Sequence, residues 1–264
     1  NVSEVFGLED ARGHLLHDEA YRRLLLAADP NAFGRYGTYL LFHPRSLDPG
    51  SPVLDLLNVT TLAAPPGSAH PTGSDVERRD AAAMEPYGTD SRPDPDAGRF
   101  PRVFNGEDLV LFARPSAFPR FRLVTRALAG GVEQVRTADR ATLATGVLVP
   151  PNVARRLAPA ESARGSGGSV RVVALEPERF AVDTETPLPS LFVTSHKRFV
   201  PYWRFFLDGR RTEGFAANGI FFGVELPPGR HRVEGRFAIP RWELFVSGIG
   251  LIAFALVMIK AFAR

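Results

Sequence analysis

The sequence predicts an α+β chain: an N-terminal mixed α/β domain, then an antiparallel β-sandwich, then one C-terminal transmembrane helix. Three observations carry this. The 264 residues include 23 Pro and 24 Gly, which break apolar segments into many short elements. Between Val170 and Phe237, runs of β-branched and aromatic residues alternate with Pro, Gly and Asp-Gly breaks, the signature of successive strands. From Leu244 to Ile259 sixteen residues carry no charge.

The first domain, 1–157, opens with a helical pattern. "DEAYRRLLLAA", from Asp18, begins with acidic residues suited to a helix N-terminus and sets Tyr21, Leu24 and Leu25 on one stripe. "VLDLLNVTTLAA" and "LVLFA" are short apolar runs that fit buried strands or helix turns equally, because periodicity does not separate the two. Residues 64–98 are rich in Pro, Asp and Gly with little hydrophobic periodicity and read as a poorly ordered surface excursion. "APAESARGSGGS", 158–169, is small and polar and reads as a linker.

The sandwich, 170–240, is assigned to "VRVVAL", "RFAVDTET", "SLFVTS", "WRFFLDG", "GIFFGVEL" and "HRVEGRF". In the last of these Arg230, Arg232, Glu234 and Arg236 share one parity and His231, Val233, Gly235 and Phe237 the other, as in a half-buried strand. Ile220, Phe222, Val224 and Leu226 alternate likewise. Asp208-Gly209 suits a tight hairpin, and Pro227 to Gly229 supplies a second turn.

Residues 241–264 carry the expected transmembrane helix. Roughly 18 to 20 helical residues cross about 30 Å of hydrocarbon, and this stretch is at the short end of that length. Ser247, Gly248 and Gly250 weaken a helix in water but are common in membrane helices; a buried core helix is the competing reading. Trp242 stands at one interface, and Lys260 and Arg264 at the other place the C-terminus in the cytoplasm. The bulk of the chain is then extracytoplasmic. The start at Asn1, with no initiator Met, reads as a fragment or trimmed product.

The chemistry in view is sparse. A net charge of +3 comes almost wholly from interspersed Arg, with no basic helix or aromatic-basic motif, which argues against nucleic acid. Cysteine is absent, so neither a disulfide framework nor a thiolate site is expected. No nucleophile elbow, phosphate loop or zincin motif occurs, and no catalytic residue, metal or cofactor is assigned. His14, His17 and Asp18 fit one helical face, but two histidines without a third ligand do not make a metal site. His231 reads as a satisfied core or interface histidine. Asp10, beside Glu9 and Arg12, fits half of an acid/base pair or a solvated surface cluster. Trp203 shares parity with Phe205 and Leu207 and reads as core, which leaves Tyr202 as the aromatic free to stack on a sugar ring.

The C-terminal text "FVPYWRFFLDGRRTEGFAANGIFFGVELPPGRHRVEGRF", followed by "AIPRWELFVSGIGLIAFALVMI", resembles the end of the YfhO-like bacterial multi-spanning membrane proteins, which are glycosyltransferase-like with the GT-C architecture. Their aromatic-Pro-Gly-Trp lead-in, Asp-Gly strand end, Ala-Asn-Gly hairpin and Pro-Gly-x-His-x-Val strand correspond to Pro201 and Trp203, Asp208 and Gly209, Ala217 to Gly219, and Pro228 to Val233. Upstream, "GLEDARGHLL", "VLDLLNVTTLAA" and "FARPSAFPRFRLVTRA" are similar to further segments of the family in the same order. Tyr202 stands where the family has Gly, and Phe118 replaces the Leu before Pro-Arg.

The resemblance implies the extracytoplasmic C-terminal region and last span of a lipid-linked-sugar-dependent glycosyltransferase acting on cell-envelope glycans in the bacterial cell membrane. Catalysis would belong to a membrane half outside this chain, so the fragment alone would be inactive. The implied partners are the lipid bilayer, that membrane half, a polyprenyl-phosphate-linked sugar and a cell-wall glycan; Tyr202, Asp10, Arg12 and Asn218 are the candidate glycan or interface contacts. The alternatives are a non-enzymatic membrane-anchored structural or carbohydrate-binding β-sandwich module and a soluble enzyme whose last helix is buried.

Overall fold

The computed structural model describes residues 19–30, 32, 47–64, 100–157, 167–198 and 202–238, together with Phe254 and Met258. The N-terminal part holds α1 (Glu19–Ala28), α2 (Pro52–Leu56), β1 (Thr61–Ala64), β2 (Arg102–Asn105), β3 (Val110–Ala113), β4 (Phe121–Val124), β5 (Arg126–Ala129), α3 (Val132–Val135), α4 (Arg140–Thr145), β6 (Gly146–Val149) and α5 (Pro151–Leu157). The C-terminal part is all strand: β7 (Ser169–Glu176), β8 (Arg179–Thr186), β9 (Ser190–Lys197), β10 (Trp203–Leu207), β11 (Arg210–Thr212), β12 (Phe215–Ala217), β13 (Phe221–Leu226) and β14 (Gly229–Phe237).

This corrects the expected fold class. The described chain is mostly β, with several antiparallel sheets and five short helices, and the closing transmembrane helix is not supported. The longest described helix has ten residues, about 15 Å, half of what a bilayer crossing needs. Among the described residues no helix is long and apolar enough to cross a membrane. Of 241–264 only Phe254 and Met258 are described, both helical and exposed; the rest, like the excursion beyond Ala64 and the linker as far as residue 166, lies outside the described residues.

Two sheets form the sandwich, one of order β11-β10-β14-β8-β7 and one of order β12-β13-β9-β4. Phe180, Val182 and Val233 from the first interleave with Phe192, Phe222 and Val224 from the second, each buried side chain contributing about 1.5–3 kcal/mol. Phe205 and Phe222 join the layers as stacked rings 3.8 Å apart. In β14 the alternation is visible: Val233 is buried while Arg230, Arg232 and Arg236 are exposed. Glu234 is nevertheless 9% exposed, because Arg236 Nη2 (2.6 Å) and Arg232 Nε (3.1 Å) close over its carboxylate. Gly235 has a steric reason, since a Cβ there would come within 2.2 Å of the Phe180 ring. The Asp208-Gly209 turn takes φ of 50° and 76° and links β10 to β11 as a two-residue hairpin.

β13 does not alternate, for a different reason. Phe221 and Phe222 are both buried because the outer face of the four-stranded sheet is covered by a second core, in which Leu191, Val193 and Phe221 meet Leu54, Val124 and Val147. A strand covered on both faces loses its polar parity. β4 pairs antiparallel with β9, so the sequence before the linker contributes an edge strand to the sheet formed after it. β5 and β6 run parallel, with α3 and α4 supplying the crossover that parallel strands require.

A buried polar cluster fixes the N-terminal part. Ser51 caps α2 by accepting from Val53 N, and Pro52 takes the first turn, where no N–H is needed. Asp55 on this helix is fully buried and receives Arg114 Nη2 (2.9 Å), Ser116 Oγ (2.8 Å) and Arg140 Nε (3.1 Å). Arg114 also donates to the carbonyls of Pro49 and Val59. Nearby, Arg122 donates to the Leu143 and Ala144 carbonyls at the end of α4 and lies 4.8 Å over the Phe118 ring. Burial alone pulls its guanidinium down to about 10.

Candidate functional site

At their carboxyl ends β5 runs into Gly130-Gly131 and β6 into Pro150-Pro151. Crevices outside the carboxyl ends of parallel strands are favoured ligand positions, because the chain departs in different directions there. Gly130 N donates to Val149 O (2.8 Å), which holds the two exits together. Gly131 N donates to Gln134 Oε1 (2.8 Å), which starts α3. The result is an open crevice of about 740 Å³ between these exits, α1 and the β12–β13 hairpin, within the usual range for small-ligand sites.

Ala20, Val132, Pro151 and Ala216 give the crevice an apolar lining, while Glu19, Arg23 and Glu133 supply its charge. Arg23 Nε lies 2.9 Å from Glu19 Oε1, and Arg23 Nη1 lies 3.4 Å from Glu133 Oε1. Glu19 first, then Glu133, raise the guanidinium above its ordinary value. Arg22 Nη1 also lies 3.9 Å from Glu19 Oε2, so two cations balance the two carboxylates. The carboxylates accept hydrogen bonds from hydroxyls, and the set offers no net positive charge to a phosphate.

Asn218 stands directly behind this wall. It is fully buried at φ 49°, and its backbone N donates to Leu148 O (2.7 Å) while its Oδ1 accepts from Leu148 N (3.0 Å). These bonds dock the Ala217–Gly219 hairpin on β6. Gly219, which lines the crevice, has φ 86°, and a Cβ there would come 2.3 Å from Val132 Cγ2. Only glycine lets the hairpin tip approach α3 this closely.

Among the described candidates, Tyr202 does not line the crevice. Tyr202 is half-buried, with its ring stacked at 5.9 Å on Phe237. Asp10 and Arg12, like His14 and His17, lie outside the described residues. His231 places Nδ1 at 2.8 Å from Asp208 Oδ2 and Nε2 at 3.1 Å from Pro227 O, so it ties together two turns. Asp208 also accepts from Arg232 N (2.8 Å). Burial tends to raise its carboxyl, but the His231 and Arg232 hydrogen bonds outweigh this and hold it below the usual range.

No protein-family model, curated protein or solved structure matches the chain. Sequence reasoning missed the crevice residues Glu19, Arg23, Gly131 and Glu133. The available signal was a pair of short apolar runs, "RALA" and "GVLV", one ending in Gly-Gly and the other in Pro-Pro, with Asp139 as a helix cap between them. Asp139 accepts from Thr142 N (2.7 Å) in that role.

Proposed function

We propose that this chain is the non-catalytic, extracytoplasmic accessory region of a lipid-linked-sugar-dependent glycosyltransferase-like membrane protein acting on cell-envelope glycans, and that its crevice holds a neutral stretch of acceptor glycan. The carrying observation is the crevice itself: a ligand-sized concavity with an apolar lining and carboxylates that accept from hydroxyls. Sugar rings offer both an apolar C–H face and hydroxyl donors. Further support is the structural engagement of the segments that resemble the YfhO-like proteins. Asp55 of "VLDLL" is bound by Arg114 of "FARPS", and Asn218 of the Ala-Asn-Gly hairpin holds one crevice wall.

The reading is tested by titrating the chain with neutral envelope oligosaccharides and with the same sugars as phosphates. Neutral sugars bind, and adding the phosphate does not strengthen binding. The substitution Gly131→Trp fills the crevice, since a Cβ at Gly131 meets only Gln134 Oε1, at 4.0 Å, and it abolishes binding. Sugar binding unaffected by Gly131→Trp would place the ligand elsewhere.

A further inference from the structure

β7 is the outermost strand of the five-stranded sheet. One edge pairs with β8, and no strand lies along the other among the described residues. An edge strand keeps half of its backbone N–H and C=O groups turned outward, ready to pair with another strand. This one also exposes apolar side chains: Val172, Val173 and Leu175 are 50%, 44% and 45% exposed.

The register identifies a complementary partner. Val172 pairs with Val182 and Ala174 with Ala181, so Val173 is an extra residue in a β-bulge. Beyond it the face phase shifts by one. Val172 and Leu175, opposite Val182 and Phe180, therefore share the inward face, while Arg171 and Glu176, opposite Asp183 and Arg179, share the outward one. In a two-fold antiparallel pair, residues set opposite each other must share a face. A regular strand could not meet that condition for residues an odd number of positions apart. The bulge allows it.

We propose that β7 pairs antiparallel with β7 of a second copy of this chain, continuing the sheet through both copies. Arg171, which already pairs with Asp183 in its own copy, stands opposite Glu176 of the second copy, twice by symmetry, and Val172 stands opposite Leu175 of the second copy, also twice. The bulged Val173-Ala174 pairs meet at the axis. The strand thus carries its own charge and apolar complement, and another copy is the partner that supplies it.

The chain has no cysteine, which makes the register directly readable. Residues directly opposite in antiparallel strands have Cα atoms about 4.5–5.5 Å apart, within disulfide reach. Under mild oxidation the full chain carrying both Val172→Cys and Leu175→Cys forms a covalent dimer, whereas either single substitution does not. In sedimentation experiments Glu176→Arg and Arg171→Glu each lower dimer affinity roughly tenfold by opposing like charges. An equimolar mixture of these two variants restores it, because each supplies what the other lacks. A chain monomeric up to about 0.5 mM, single-cysteine variants that crosslink as well as the double variant, or a mixture that fails to recover affinity would each overturn the proposal.

Discussion

The carboxylate of Asp55 and the guanidinium of Arg114 meet at 2.9 Å with both side chains wholly removed from water. The two residues lie 59 positions apart, so this contact ties α2 to the loop after β3. Removing the Asp55 charge strands Arg114 in the interior, at a cost of about 3–5 kcal/mol, whereas removing Arg114 leaves Asp55 with Arg140 and Ser116. Asp55→Asn is expected to lower unfolding free energy by that amount in urea titrations, and Arg114→Met by less. Arg122→Met is expected to cost less, about 1–2 kcal/mol, because it removes hydrogen bonds to two carbonyls and strands no charge.

Two glycine substitutions separate steric need from ordinary tolerance. Gly235→Ala places a Cβ 2.2 Å from the Phe180 ring and is expected to destabilise the sandwich by about 1–3 kcal/mol. Gly131→Ala adds a methyl group in open space and is expected to stay within about 0.5 kcal/mol. Paired thermal denaturation curves give the comparison.

Asn218 combines a positive φ with a buried amide bond to Leu148 N. Asn218→Ala loses both advantages and is expected to cost about 2–3 kcal/mol. Asn218→Gly relieves the backbone strain but still loses the side-chain bond, and is expected to cost less than the alanine variant. The difference in melting temperature between the two variants measures the backbone share.

Acid sensitivity follows from two depressed carboxyls. Arg236 chiefly lowers Glu234 against the opposing effect of burial, and Asp208 is lowered by His231 and Arg232 despite burial. Each group binds protons less readily when folded than when unfolded. Its contribution is therefore complete above the ordinary carboxyl value of about 4 and is lost as pH falls through the lower folded value. Asp208→Asn is expected to flatten the acid limb of the stability–pH curve below about pH 4.

The sandwich was legible where residues state their own conformation. "RFAVDTET" is β8 without a shift of boundary, the Asp208-Gly209 hairpin is where its dihedral preferences put it, and α1 buries Leu24 and Leu25 as its stripe requires. Less was legible where tertiary contacts decide. "VLDLLNVTTLAA" divides into helix and strand because Pro52 and the Ser51 cap open a helix that Asn58 ends at φ 56°. β4 is four residues long and owes its place to β9, far along the chain. The crevice depends on α1, α3 and the β12–β13 hairpin meeting in space, and no local pattern announces that. The membrane-helix expectation rested on the uncharged run 244–259, on its flanking Trp242, Lys260 and Arg264 and on the family resemblance, and the described helices are too short to support it.

The most direct test of the glycan-facing account is calorimetric or NMR titration of the chain with neutral envelope oligosaccharides, side by side with Gly131→Trp. The account predicts millimolar to micromolar binding, accompanied by perturbation of Ala20, Gly130 and Ala216 signals, and loss of both in the variant while the melting temperature changes little. Saturable sugar binding that leaves those signals unmoved and survives in Gly131→Trp would contradict it, as would no binding at all to any neutral envelope sugar.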